Sequence, residues 1–207
     1  MKFLFQGDSI TDAGRTDRDN PQSLGAGYPL LLAADLTYRH PEHEVLNTAI
    51  SGNRIPDLLA RWKKDCLNLK PDVLTILIGV NDVWHELGSQ NGVSPALFEE
   101  LYNILLRETK AALPNTRLIL MGAYVCHGDA TNENWDCFSK EVGIRREITR
   151  KLAAAYHADF VDLQKEFDKA ANQIPMQHWT ADGVHPQLAG HRLIADAWKA
   201  AYGWESL

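Results

Sequence analysis

The chain is poor in several things, and each shortage removes a class of protein. Cysteine occurs three times in 207 residues, at Cys66, Cys126 and Cys137. Three scattered thiols cannot build a disulfide framework, and they suit a reducing compartment, so a cytoplasmic protein is expected. Lys and Arg total 21 against 27 Asp and Glu, a net charge of −6. With no basic excess or stripe, no nucleic-acid partner is expected. No apolar run approaches the roughly 18 residues of a membrane-spanning helix. The first apolar run, Phe3 to Phe5, is too short for a secretory signal, so no membrane partner is expected either. There is no linker, no composition break and no internal repeat. Residues 1–207 therefore read as one domain, with 45% hydrophobic and 23% charged residues, near the globular average. Tryptophan is the one surplus, six against three methionines.

What is present is an alternation of two patterns. Lys2–Gln6, Glu44–Thr48, Asp72–Gly79, Thr116–Gly122 and Ala158–Leu163 are short, nearly continuous apolar runs. Such runs fit strands buried on both faces. Between them lie helix-period segments. Leu24–Tyr38 is rich in Leu and Ala. Ile55, Leu58, Leu59, Trp62, Cys66 and Leu69 fall on one helical face. Ser94-Pro95 is a cap and first-turn proline opening a helix to Ala112. Ser139–Tyr156 and Gln187–Ala201 complete the set. Strand–helix alternation predicts a parallel sheet covered on both faces. Residues 10–23, 83–93, 124–136 and 173–182 read as loops. Ligands of such sheets bind outside the carboxyl ends of the strands, so these loops are where chemistry is expected.

Four polar clusters sit at those ends. Gly7-Asp8-Ser9-Ile10-Thr11 follows the first strand. Ser9 there reads either as an exposed nucleophile or as a helix cap. Ala49-Ile50-Ser51-Gly52-Asn53 follows the second, where Gly52 can offer an unobstructed backbone N–H. Ile78-Gly79-Val80-Asn81-Asp82 follows the third. The Asn81 amide can donate to a developing oxyanion or close an Asx turn. Asp182-Gly183-Val184-His185-Pro186 precedes the last helix. It spaces a carboxylate and an imidazole so that one can orient the other. Singly, each cluster has an ordinary structural explanation. Jointly they supply a nucleophile, a base, its orienting acid and two oxyanion donors, the set that acyl transfer needs.

The blocks GDSIT, SGN, GVND and DGVHP, in this order, resemble the signatures of the SGNH, or GDSL-type, hydrolase superfamily. The resemblance runs from residue 3 to about residue 198. It implies a three-layer α/β/α sandwich, flavodoxin-like, with a five-stranded parallel sheet. It implies ester hydrolysis through an acyl-enzyme with no cofactor and no metal. Position by position, Ser9 would be the nucleophile, His185 the base and Asp182 its partner. The N–H groups of Ser9 and Gly52 and the side chain of Asn81 would form the oxyanion hole. The segments GDSITDAGR, SGNRIPDLLARW and IGVNDVWHE look most like bacterial carbohydrate O-acetylesterases, acetylxylan esterases among them. A small-molecule ester or acetylated oligosaccharide is then the expected partner, and a homo-oligomer stays open. The G-x-S-x-G elbow of the larger α/β-hydrolases is absent.

Trp84, Trp135 and Trp179 fall in or beside the loops at the active end and are candidate substrate-binding residues. Aromatic faces suit sugar C–H surfaces, and they equally pack loops onto a sheet. Asp8 is expected to fix the nucleophile turn, and Asn53 to cap the helix after it. Arg54 and Asp82 are candidates to support the site from behind its reacting groups, with no firm assignment. Three rivals stand beside the esterase. A metal hydrolase would gather Asp8, Asp12, Asp182 and His185 around a divalent ion. A carbohydrate-binding module would keep the tryptophans but need no Ser9, Asp182 and His185 together. A lysophospholipase, thioesterase or broad arylesterase would use the same catalytic residues on another ester. Cys126, His127 and Cys137 match no zinc spacing and read as loop and core residues.

Overall fold

Backbone polar groups in a buried strand must pair, and continuous apolar strands can pair only with each other. In the computed structural model, which describes residues 1–204, five such strands form one parallel sheet. The last three residues of the expected 1–207 unit lie outside the described residues. The strands are β1 (Lys2–Gly7), β2 (Glu44–Asn47), β3 (Val73–Leu77), β4 (Arg117–Met121) and β5 (Asp159–Val161), in the order β2-β1-β3-β4-β5. Phe3 lies opposite Val45 on one side and Val73 on the other.

Alternate side chains feed two cores. Phe3, Phe5, Val73, Leu77, Ile119 and Met121 face one side. They meet α2 (Tyr28–Arg39), α7 (Leu163–Ala171) and α8 (Leu188–Tyr202). Leu4, Leu74, Ile76, Leu118 and Leu120 face the other, against α3 (Ile55–Asp65) and α5 (Pro95–Ala112). The long helix α6 (Trp135–Ala155) serves both, Phe138 and Val142 in the first core and Ile148 and Leu152 in the second. The result is the expected three-layer α/β/α sandwich. A leucine-to-alanine truncation in such a core costs about 2–5 kcal/mol. Two of the surplus tryptophans are core: Trp198 Nε1 donates to Thr75 Oγ1 at 2.8 Å and Trp62 Nε1 to Thr109 Oγ1 at 2.9 Å. No helix among the described residues is long and apolar enough to cross a membrane.

Several boundaries differ from the sequence expectation. Residues 24–27 precede α2 rather than joining it. The Leu24 carbonyl accepts from Asn47 Nδ2, and Ala26 N–H donates to Ala13 C=O, so this backbone is already engaged outside a helix. Most of 83–93 is helical, within α4 (Val80–Ser89). Its buried residues are Val80, Asn81, Asp82 and Val83, consecutive in one turn, so no 3.6-residue period shows. Helix α7 was absent from the expectation. Its signals are Asp162, whose side chain accepts from Lys165 N–H, and the buried spacing Leu163, Phe167, Ala170.

Candidate active site

Strand β1 has β2 on one side and β3 on the other, so the strand order reverses at β1. A crevice opens at the carboxyl ends of strands where the order reverses. β1 ends at Gly7, and Asp8 caps a single-turn helix, α1 (Ser9–Asp12), its Oδ1 accepting from Ile10 N–H at 3.0 Å. Ser9 is the first helical residue, so its own N–H has no intrahelical acceptor. The Ser9 Oγ lies 2.8 Å from His185 Nε2, and His185 Nδ1 lies 2.6 Å from Asp182 Oδ2. Asp182 Oδ1 accepts the N–H groups of Val184 at 2.8 Å and His185 at 2.7 Å, and the Thr180 hydroxyl at 3.2 Å. The three side chains, 176 residues apart in sequence at the extremes, form one hydrogen-bonded chain.

The Asp182–His185 turn is held from behind by the loop after β4. Cys126 N–H donates to Gly183 C=O at 2.8 Å and Ala130 N–H to Asp182 C=O at 3.1 Å. The buried Tyr124 hydroxyl donates to Val184 C=O at 2.7 Å. Gly183 has φ +92°, and a Cβ there would lie 2.4 Å from both Cys126 O and Thr131 Oγ1. Any side chain would therefore push the two loops apart and move the Asp182 carboxylate off the imidazole.

The electrostatics follow from these contacts. Partial burial opposes ionisation of Asp182, but the His185 ring and two backbone N–H groups together outweigh it and pull the carboxyl down to about 2. The hydrogen bond to Asp182 in turn raises His185 above its ordinary value, against the opposing effect of burial. Asp8 is buried, which pushes its carboxyl up to about 7 despite the Ile10 N–H. Asp82 is also pushed up to about 7 by burial. Its Oδ1 accepts from Ile55 N–H at 3.0 Å, while its Oδ2 is buried without a partner.

Across the crevice sit the hydrogen-bond donors. The turn after β2 puts Gly52 at φ +83°, with no atom within 4 Å of where a Cβ would stand, so its backbone is open to a ligand. Among the described residues no acceptor takes the N–H of Ser9 or Gly52. Asn81, in the first turn of α4, donates one amide hydrogen to Asn53 C=O at 3.1 Å and keeps the second free. Two carboxyls fix this turn. Asp12 Oδ2 accepts from Ser51 N–H at 3.1 Å, and Asp82 ties the start of α3 to the start of α4. Asn53 does not cap α3: its Oδ1 is taken by Arg61 Nε at 2.8 Å, and Asp57 accepts the Arg54 N–H instead.

Two open cavities flank Ser9, Ser51 and His185. One, about 350 Å³, is lined by Gly52, Asn81, Trp84 and His85. The other, about 550 Å³, is lined by Asp12, Arg15, Arg18 and His191. Trp84 packs beside the His185 ring, centroids 5.7 Å apart. Trp135 stacks on His127 at 3.7 Å and lines a separate cavity with Cys126 and Met176. Trp179 donates to Ile174 C=O and lines neither cavity beside Ser9. Of the three candidate tryptophans, the structure brings Trp84 alone to these cavities. The four groups of the metal-hydrolase reading do not gather. Asp8, Asp12 and Asp182 each cap or brace a backbone turn, and both His185 nitrogens are engaged.

A hydroxyl in line with an imidazole and a carboxylate, facing free N–H groups, is an arrangement suited to acyl transfer. Residues 5–193 match the model of the GDSL-like lipase/acylhydrolase family. The chain belongs to that family. It is a carboxylic ester hydrolase. It is 33% identical over 213 residues to an acetylxylan esterase of Geobacillus stearothermophilus, covering 99% of this chain and 94% of that protein. A crystal structure of an acetylxylan esterase from that organism aligns at TM-score 0.87 with 32% identity, over 98% of this chain and 94% of the other. A GDSL-like lipase from Parabacteroides merdae aligns at TM-score 0.90 with 37% identity, over 98% and 95%.

The sequence offered Asp82 as a candidate supporting group, and it did not point to Asp12 or the 124–131 loop as supports of this site. Asp12 entered only as a metal ligand and Asp82 as a supporting group with no firm assignment. Both lie three residues or fewer from a candidate, which is a signal, but their acceptor duties cross to other loops and have no local pattern.

Proposed function

We propose that this GDSL-family esterase removes short acyl groups, acetyl above all, from acetylated carbohydrates through an acyl-enzyme on Ser9. The observation that carries the reading is the Ser9–His185–Asp182 chain facing the free N–H groups of Ser9 and Gly52 and the Asn81 amide. His185 Nε2 takes the Ser9 proton as Oγ attacks the ester carbonyl. The tetrahedral oxyanion is held by the three donors, each worth about 3–4 kcal/mol of activation energy. His185 then returns the proton to the departing alcohol, and a water repeats the cycle on the acyl-enzyme. Asp182, ionised over the whole neutral range, stabilises the imidazolium formed in between.

The substrate class is supported by size and lining. The donor-side cavity of about 350 Å³ is open and walled by Trp84, a face for a small acyl group or a sugar ring. The Asp12 and Arg18 side of Ser9 is polar, matching a hydroxyl-rich alcohol. The acetylxylan esterase relationship points the same way. Three thiols, Cys137 exposed, favour a reducing compartment and hence the cytoplasm.

The test is a panel of acetylated xylo-oligosaccharides, p-nitrophenyl esters of rising chain length, acyl-CoA and lysophospholipid. The expected profile is acetate-selective with sugar deacetylation, and Ser9→Ala abolishes it while leaving the circular dichroism spectrum unchanged. Preference for long chains, acyl-CoA or lysophospholipid would replace the carbohydrate reading. Retained turnover in Ser9→Ala would overturn the nucleophile.

A further inference from the structure

The turn between α2 and β2 carries the sequence His40-Pro41-Glu42-His43. It lies at the amino ends of the strands, about 20 Å along the sheet from Ser9 at some 3.3 Å per residue. Pro41 disfavours the helical conformation at His40, which ends α2 at φ −133°, ψ 80°. His43 N–H then donates to His40 C=O at 2.9 Å, closing the turn. The closure stacks the two imidazoles, centroids 4.6 Å apart and 25° from parallel. Both rings present a nitrogen to the same carboxylate oxygen. His40 Nδ1 lies 3.3 Å and His43 Nε2 3.7 Å from Glu42 Oε1.

We propose that this turn is a binding site for a first-row divalent cation of the zinc type, with His40 Nδ1, His43 Nε2 and Glu42 Oε1 as ligands. Zinc holds imidazole nitrogen and carboxylate oxygen at about 2.0–2.2 Å, which sets tetrahedral ligand atoms roughly 3.4 Å apart. The three atoms here already lie within 4.8 Å of one another, so a rotamer adjustment of about an ångström seats the ion. Of the three ligands, His43 is the least exposed. Its side chain is 7% exposed and packs on Phe3 at 5.2 Å, so one ligand is fixed in advance. Glu42 is largely exposed, so the outer side of the turn leaves room for a fourth ligand. A cation here would staple the end of α2 to the start of the edge strand β2.

The test uses chelator-treated, dialysed protein titrated with Zn²⁺ by calorimetry, and with Co²⁺ followed by its visible absorption. Wild type should bind one equivalent that is weakened at least tenfold in His43→Ala and in the His40→Ala/His43→Ala pair. Zn²⁺ should raise the melting temperature of wild type and leave that of the double variant unmoved. The double variant keeps the other six of the eight histidines, so binding elsewhere is subtracted. Esterase turnover equal to wild type shows that it folds; should it not fold, Glu42→Gln carries the same comparison. Zinc binding undiminished in the variants, or no equivalent bound by wild type, would overturn the proposal.

Discussion

Stability is expected to fall between pH 5 and pH 8, and Asp82→Asn should flatten that fall. In the unfolded chain this carboxyl releases its proton near 3.9. In the fold, burial holds the proton to about pH 7, with the Ile55 N–H and the Arg145 charge opposing and the Asp8 charge assisting. Between those values the folded state binds more protons than the unfolded one, so stability falls as pH rises. The affinity difference is about a thousandfold, or about 4 kcal/mol when the titration is complete. Between pH 5 and pH 8 the share lost is about 2–3 kcal/mol. Asparagine keeps the Oδ1 acceptor for Ile55 N–H and removes the charge. It also places an amide N–H₂ where Oδ2 has no partner, beside Arg145. That costs about 1–3 kcal/mol at every pH and cancels when the two pH values are compared. Urea unfolding of wild type and Asp82→Asn at both pH values gives the comparison directly. Parallel pH profiles for the two proteins would refute a buried carboxyl that titrates near 7.

The remaining predictions concern turnover. Asp182 raises His185 above the ordinary imidazole value of about 6.5, so the acid limb of kcat/KM should lie above pH 6.5. Asp182→Asn should move it down and lower kcat, and a wild-type rate that stays flat to pH 5 would count against His185 as base. Asn81→Ala should cut kcat by about 100- to 1,000-fold with little change in KM, because the amide acts on the transition state. A raised KM with unchanged kcat would make it a substrate-binding residue. Trp84→Ala should raise KM for acetylated oligosaccharides, and Trp135→Ala should leave it unaltered. Equal effects would mean that the substrate reaches the His127 cavity.

The parallel α/β architecture was legible because the strands, β1, β3 and β4 above all, are buried on both faces and so read as nearly continuous apolar runs. The four polar blocks were legible because each is contiguous and sits just past such a run or before a helix. What remained hidden was whatever depends on contacts between loops. Helix α4 shows no period because its buried residues crowd into one turn. Trp84, Trp135 and Trp179 all lie in loop-side segments, yet only the packing of α4 against His185 turns one of them toward Ser9. In sequence, Asp12 and Asp82 carry no sign of which backbone groups they hold. Their acceptor roles exist only once the turns after β1, β2 and β3 meet at the reversal of strand order. Local residue pattern determined the strands, their sequence partners in each block, and the chemical types at the site. Tertiary structure alone decided distance: which carboxylate faces which N–H, and which ring faces the serine, because those forces act through space rather than along the chain.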